Sequence, residues 1–176
     1  MKKPIAALMA LRLIFCAAAA LAAEPEVMKI NRSGYEALTA KMEGRFAAVS
    51  ETGLKMFIPA EFRDTEISEE TPKGGTFPVL KRDKDEKAIV NAQRLAVAPD
   101  AFKAEMESKG LTLYPTELNG LPCLQFNVEA GGVTTGCFAF GTENGGIAVF
   151  SFSPINREPC AAVYKVTAAS IRRAEQ

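Results

Sequence analysis

Residues 111–153 read LTLYPTELNGLPCLQFNVEAGGVTTGCFAFGTENGGIAVFSFS, and this stretch decides the fold. Asn119-Gly120 stands between two apolar runs and is a strong hairpin signal, because both residues accept the positive φ of a two-residue turn. Leu121–Val128 alternates, with Leu124, Phe126 and Val128 on one face. Gly131-Gly132 turns the chain into Thr134–Gly141, where Phe138 and Phe140 alternate. Glu143-Asn144-Gly145-Gly146 turns it again into Ile147–Ser153. With Leu111–Leu118 as the first strand, the stretch is a four-strand antiparallel meander.

Working outward, Pro99-Asp100 opens a helix through Ser108, with Phe102 and Met106 at i, i+4 and Gly110 as terminator. On the far side, Glu158-Pro159 begins a closing helix. Its stripe of Cys160, Val163, Tyr164, Thr167, Ala168 and Ile171 is spaced for one buried face. Two further strand pairs precede the meander, Arg45–Ser50 with Gly53–Pro59 and Phe77–Arg82 with Ala88–Val97. Residues 68–76 read as an exposed loop. Asp83-Lys84-Asp85-Glu86-Lys87 reads as a solvated hairpin tip, since Lys87 fills the third ligand position of a calcium loop and Ala88 replaces its glycine. Residues 24–32 are a polar leader. Ser33-Gly34-Tyr35-Glu36 has capping-box spacing for a short helix carrying Tyr35, Leu38 and Met42, which Gly44 ends. The expected organisation is a leader and short helix over 23–44 and one α+β domain over 45–176. Its core is an antiparallel β-sheet with helices packed on it.

The first 22 residues read as an address. Met1-Lys2-Lys3 is basic, Leu13–Ala20 is apolar, and Ala20-Leu21-Ala22 is a small-x-small site, which predicts signal cleavage between Ala22 and Ala23. The apolar run is too short to span a bilayer, which takes about 20 residues. Phe15 before Cys16 argues against a lipoprotein cysteine, because a small residue is expected there. A periplasmic or secreted protein with no stable membrane anchor after cleavage is the expectation. The full chain balances 21 basic against 21 acidic side chains, and loss of Lys2, Lys3 and Arg12 leaves 18 basic ones and a charge of −3. That mild acidity gives no electrostatic footprint for nucleic acid.

Removing the signal leaves Cys123, Cys137 and Cys160, an odd number. If the apolar side chains share one face, Leu124 lies opposite Phe140 and Phe126 opposite Phe138. Phe140 then falls beside Phe150 and Cys137 beside Ser153, near the first turn of the closing helix. The favoured bridge is therefore Cys137–Cys160, whose loop of about two dozen residues would contribute about 3 kcal/mol. Cys123–Cys137 is the alternative and needs a three-residue loop at Gly131.

Met56-Phe57-Ile58-Pro59-Ala60, Asp100-Ala101-Phe102, Asn119-Gly120-Leu121-Pro122, Gly146-Ile147-Ala148-Val149 and Ala169-Ser170-Ile171 occur in an order that resembles PsbP-like and DcrB-like domains. The resemblance spans residues 45–174 and is a pattern of elements without a chemical motif. It implies a three-layer α/β/α sandwich and a binding or accessory role. It carries over no functional residues, and the signal peptide departs from the cytoplasmic chaperone members.

The chain contains no histidine, which removes the usual base for a Ser or Cys nucleophile and a common metal ligand. No Ser-x-x-Lys, Cys-x-x-Cys, Walker or Gly-x-Gly-x-x-Gly spacing occurs. No cofactor or metal is expected. Asp64, Glu66, Glu69 and Glu70 cluster in sequence and are the material for a carboxylate hydrolase, but they read as solvated surface. A binding or accessory protein of the cell envelope is the first expectation. It would use a sheet face or a groove beside Thr71–Gly75, with an unidentified protein or small molecule as partner. A histidine-free hydrolase, or an inhibitor or immunity protein, is the alternative.

Overall fold

The computed structural model describes residues 27–28, 42–49, 52–60, 64–68, 77–81, 87–158 and 160–175. The predicted signal peptide with its Ala22/Ala23 cleavage site lies outside these residues. So do the helix before Met42, most of the loop 68–76 and the hairpin tip.

Seven strands form the main sheet: β3 (Asp64–Ser68), β4 (Phe77–Lys81), β5 (Lys87–Leu95), β6 (Tyr114–Leu118), β7 (Leu121–Ala130), β8 (Val133–Gly141) and β9 (Ile147–Ser153). Their spatial order is β3-β4-β5-β9-β8-β7-β6, antiparallel throughout. Strands β1 (Gly44–Val49) and β2 (Leu54–Pro59) pair as expected, but they belong to a separate sheet with β10 (Arg172–Arg173), in the order β1-β2-β10. Helix α1 (Pro99–Ser108) has the predicted bounds, and helix α2 covers Cys160–Ala169. The α+β class with antiparallel sheets and packed helices is thus observed. Neither β3 nor β10 was anticipated. The closing helix stops short of Ile171, which leads into β10. Gly44 starts β1 and does not end a helix within the described residues.

Turn chemistry sets the meander. Asn119 and Gly120 both have positive φ, +50° and +77°, as a primed two-residue turn requires. Gly131 and Gly132 do the same at +58° and +73°, so Ala130 pairs with Val133. That two-residue connection corrects the expected register by one position. Leu124 faces Ala139 and Phe126 faces Cys137, while Phe138 lies opposite Gln125 and Phe140 opposite Cys123. In the next hairpin Phe150 is opposite Phe138, and Cys137 is opposite Ser151, not Ser153. The assumption that apolar residues share one face fails because both faces of this sheet are covered.

Two buried clusters show this. On one face, Phe126, Cys137, Ala139, Ile147 and Val149 pack with Phe102 and Met106 of α1. On the other, Phe138, Phe140, Phe150 and Phe152 pack with Cys160, Tyr164 and Ala168 of α2. Leu54, Met56 and Ile58, alternate residues of β2, belong to this second cluster, so α2 lies between the two sheets. The predicted polar leader also contributes. Met28 is buried, its N–H donates to Gln125 Oε1 at 2.7 Å, and its carbonyl accepts from Thr116 Oγ1 at 2.6 Å.

Candidate functional site: a cleft at the end of the main sheet

β7 begins and β8 ends at the same end of the main sheet, because the two run antiparallel. The first turn of α1, the β1–β2 turn and β10 reach this end as well, and together they enclose a cleft of about 650 Å³. Its walls include Leu54, Leu121, Leu124, Ala139, Phe140 and Ile147. Of these, Phe140, Ala139 and Ile147 are almost fully buried. Small-molecule sites are typically about 300–1,000 Å³ and mostly apolar, with few polar groups that fix orientation.

The hydroxyls around the cleft are committed to the protein's own backbone. Thr52 Oγ1 donates to the Val49 carbonyl at 2.8 Å and accepts from the Leu54 N–H at 3.2 Å. Thr142 Oγ1 accepts from the Gly146 N–H at 3.1 Å, and Thr116 donates to Met28. Ionic groups stand on the walls: Asp100 and Lys103 on α1, Glu143 in the β8–β9 turn, and Arg173 on β10. Arg173 Nη1 donates to Glu143 Oε1 at 2.7 Å. Its strand is fixed by pairing of Arg173 with Leu54 and by the Ala174 N–H, which donates to the Gly53 carbonyl at 2.9 Å. The β8–β9 turn is held as tightly. A Cβ on Gly146 would come within 2.6 Å of the Leu95 carbonyl oxygen, so only glycine fits there without moving backbone.

Cys123 also lines the cleft and is buried. Burial pushes its thiol up to about 12; Glu117 adds to this, while a hydrogen bond with the Leu118 backbone opposes it. A thiol held protonated in this way is a poor nucleophile. Burial likewise pushes Cys137 and Cys160 up to about 12, with Glu158 adding to the effect at Cys160. All three cysteines are free. The structure brings together neither Cys137 with Cys160 nor Cys123 with Cys137. Cys137 packs under α1, whereas Cys123 and Cys160 belong to the cluster on the opposite face. The expected pairing rested on the register corrected above.

Asp64 and Glu66 lie on the edge strand β3, and Glu69 and Glu70 fall outside the described residues, as does Thr71–Gly75. The groove expected beside that loop therefore lies outside the described residues, and the cleft is a separate feature. Sequence reasoning missed its ionic residues because Asp100 and Lys103 on α1, Glu143 in the β8–β9 turn and Arg173 on β10 are far apart in the chain and share no common spacing. No helix among the described residues is long and apolar enough to cross a membrane.

No family model and no curated protein matches the chain. Among solved structures, it is similar to a protein of Bacteroides thetaiotaomicron VPI-5482 known from a crystal structure, at 14% sequence identity and a TM-score of 0.46. The likeness covers 75% of this chain and 49% of the other, so the chain spans about half the length of the protein it matches.

Proposed function

We propose that this is an exported, non-enzymatic binding or accessory protein of the cell envelope that holds a small molecule in the cleft at the end of its main sheet. One observation carries the reading: a cleft of about 650 Å³ has a mostly apolar lining, and its threonine hydroxyls each already bond to backbone. Such a surface offers burial to an apolar ligand and leaves directional recognition to the ionic rim. Two acids, Asp100 and Glu143, line the walls, but Glu143 is held by Arg173. The helix on each face of the main sheet is in keeping with a PsbP-like or DcrB-like sandwich, on which binding and accessory roles are the expectation. The basic, apolar and Ala-x-Ala sequence of the first 22 residues supports export.

Native mass spectrometry of the full-length gene product, recovered from the periplasm of a bacterial host, tests both halves of the proposal. The expected species begins at Ala23 and carries a small molecule that is lost on Leu124→Asp substitution. A protein retained in the cytoplasm with Met1 or Lys2 at its start would overturn export. A bare protein that also takes up no apolar probe would overturn the cleft reading.

A further inference from the structure

We infer that the ligand of the cleft is an aliphatic chain ending in a carboxylate, with its head group taken by Arg173; this rests on the cleft being the binding site proposed above. The lining is mostly apolar, and the hydroxyls of Thr52, Thr116 and Thr142 each already make a bond within the protein. A ligand seated there must be apolar along most of its length, because a buried polar group without a partner is costly. The sign of its polar end follows from which rim groups retain hydrogen-bonding capacity.

Among the acids, Glu143 already accepts from Arg173. Asp100 sits in the first turn of α1, where the amide groups of the helix start favour a negative charge, and Ala98 at the cap supplies no side chain to compete. Each cation has one acidic partner and keeps further donors. A guanidinium carries five N–H donors, and only Arg173 Nη1 is engaged, on a Glu143 that is itself largely exposed. Lys103 reaches only Glu107, at 3.8 Å across solvent. The rim carries two acids and two cations; among them Arg173 keeps the most hydrogen-bond donors, and its planar fork suits a carboxylate in the two-point manner. Glu143 then acts as a placeholder that holds Arg173 over the cleft until a ligand carboxylate displaces it.

The test titrates the full mature chain with decanoate, decan-1-ol and decyltrimethylammonium, each below its micelle-forming concentration, and locates binding by ¹H–¹⁵N NMR. Decanoate should bind at least about tenfold more tightly than decanol, as hydrogen bonds to charged groups imply. It should shift the amides of Leu54, Leu121, Leu124 and Phe140. Arg173→Gln should abolish that preference and leave decanol within about twofold of its original affinity, because the apolar contacts remain. Glu143→Gln should tighten decanoate about two- to threefold, the size of an exposed ion pair removed as competitor. Equal binding of decanoate and decanol in the cleft, or tighter binding of the ammonium, would overturn the carboxylate assignment and leave the cleft reading standing. If none of the three probes binds, the cleft reading itself falls.

Discussion

The two helices occupy opposite faces of the same sheet, yet they are held in different ways. Helix α1 buries Phe102 and Met106 and leaves most of its remaining surface to solvent, where Lys109 pairs with Glu105 at 2.7 Å. It is an amphipathic helix covering one face of a sheet, and two large side chains fix it. Helix α2 is enclosed between two sheets. Val166, Thr167, Ala168 and Ala169 are all buried, which a one-sided helix does not allow for four consecutive residues. Its small side chains let backbone approach, and polar groups from other elements complete its C-terminal end. Asn119 Nδ2, in the β6–β7 turn, donates to the Ala169 and Ile171 carbonyls. Ser170 Oγ accepts from the Phe57 N–H at 2.7 Å and donates to the Thr167 carbonyl at 2.6 Å. One helix is attached by a stripe; the other is part of the framework joining two sheets.

The largest expected effect comes from placing the same charge on each helix. Ala168→Asp puts a carboxylate into the fully buried layer between the two sheets and should destabilise the protein by about 3–5 kcal/mol. Ala104→Asp, on the exposed face of α1, should cost about 0.5 kcal/mol through helix propensity alone. Urea midpoints of the two variants measure the contrast, and equal losses would show that α1 is as enclosed as α2.

A smaller effect isolates the joint between the sheets. Ser170→Ala leaves the Phe57 N–H without its buried acceptor and should cost about 1–3 kcal/mol. A loss below about 0.3 kcal/mol in chemical denaturation, within the range of an ordinary surface change, would mean that water replaces the hydroxyl.

The finest comparison uses the cysteines as reporters. Cys123 borders the cleft, Cys137 lies under α1, and Cys160 begins α2. If α1 opens more easily than α2, iodoacetamide at pH 8 should label them in the order Cys123, Cys137, Cys160, with about fivefold between the last two. That factor corresponds to roughly 1 kcal/mol of local opening. Cys160 labelling as fast as Cys137 would contradict the distinction between the helices. The same thiols fix a pH dependence. Each has a folded value of about 12 against an ordinary 9.0. The native state therefore binds more protons between those values. The stability they contribute is fully present below pH 9 and is lost as pH rises from 9 towards 12. Cys137→Ala, measured by urea denaturation, should show a shallower alkaline decline than the parent chain.

Local signals made much of this readable. The Asn119-Gly120 and Gly131-Gly132 turns, the Phe102/Met106 stripe and the β1–β2 pair follow from torsional preference and periodicity, which neighbours in sequence decide. The register of β7 on β8 was not readable from apolar matching, because Gln125 and Asn127 share a buried face with Phe138 and Phe140. The Ala130–Val133 turn fixes it instead. β10 is two residues long and carries no pattern of its own; it exists because Lys55 and Leu54 of β2 are there to pair with it. The cleft was equally hidden, since Leu54, Lys103, Leu124, Glu143 and Arg173 meet only once the strands are in register.

By itself the sequence determined the alternation of short strands and tight turns, the position and buried stripe of α1, the start of α2, and the absence of any histidine-based chemistry. These properties reside in single residues or in spacings of a few residues, where backbone torsions and side-chain identity are enough. Tertiary structure alone decided that β1 and β2 form a second sheet, that α2 is enclosed, that the three thiols stay apart, and that a cleft with Arg173 and Glu143 on its rim opens where β7 begins. Those are outcomes of long-range packing. They depend on which face of one element is free to cover another, and no segment carries that information alone.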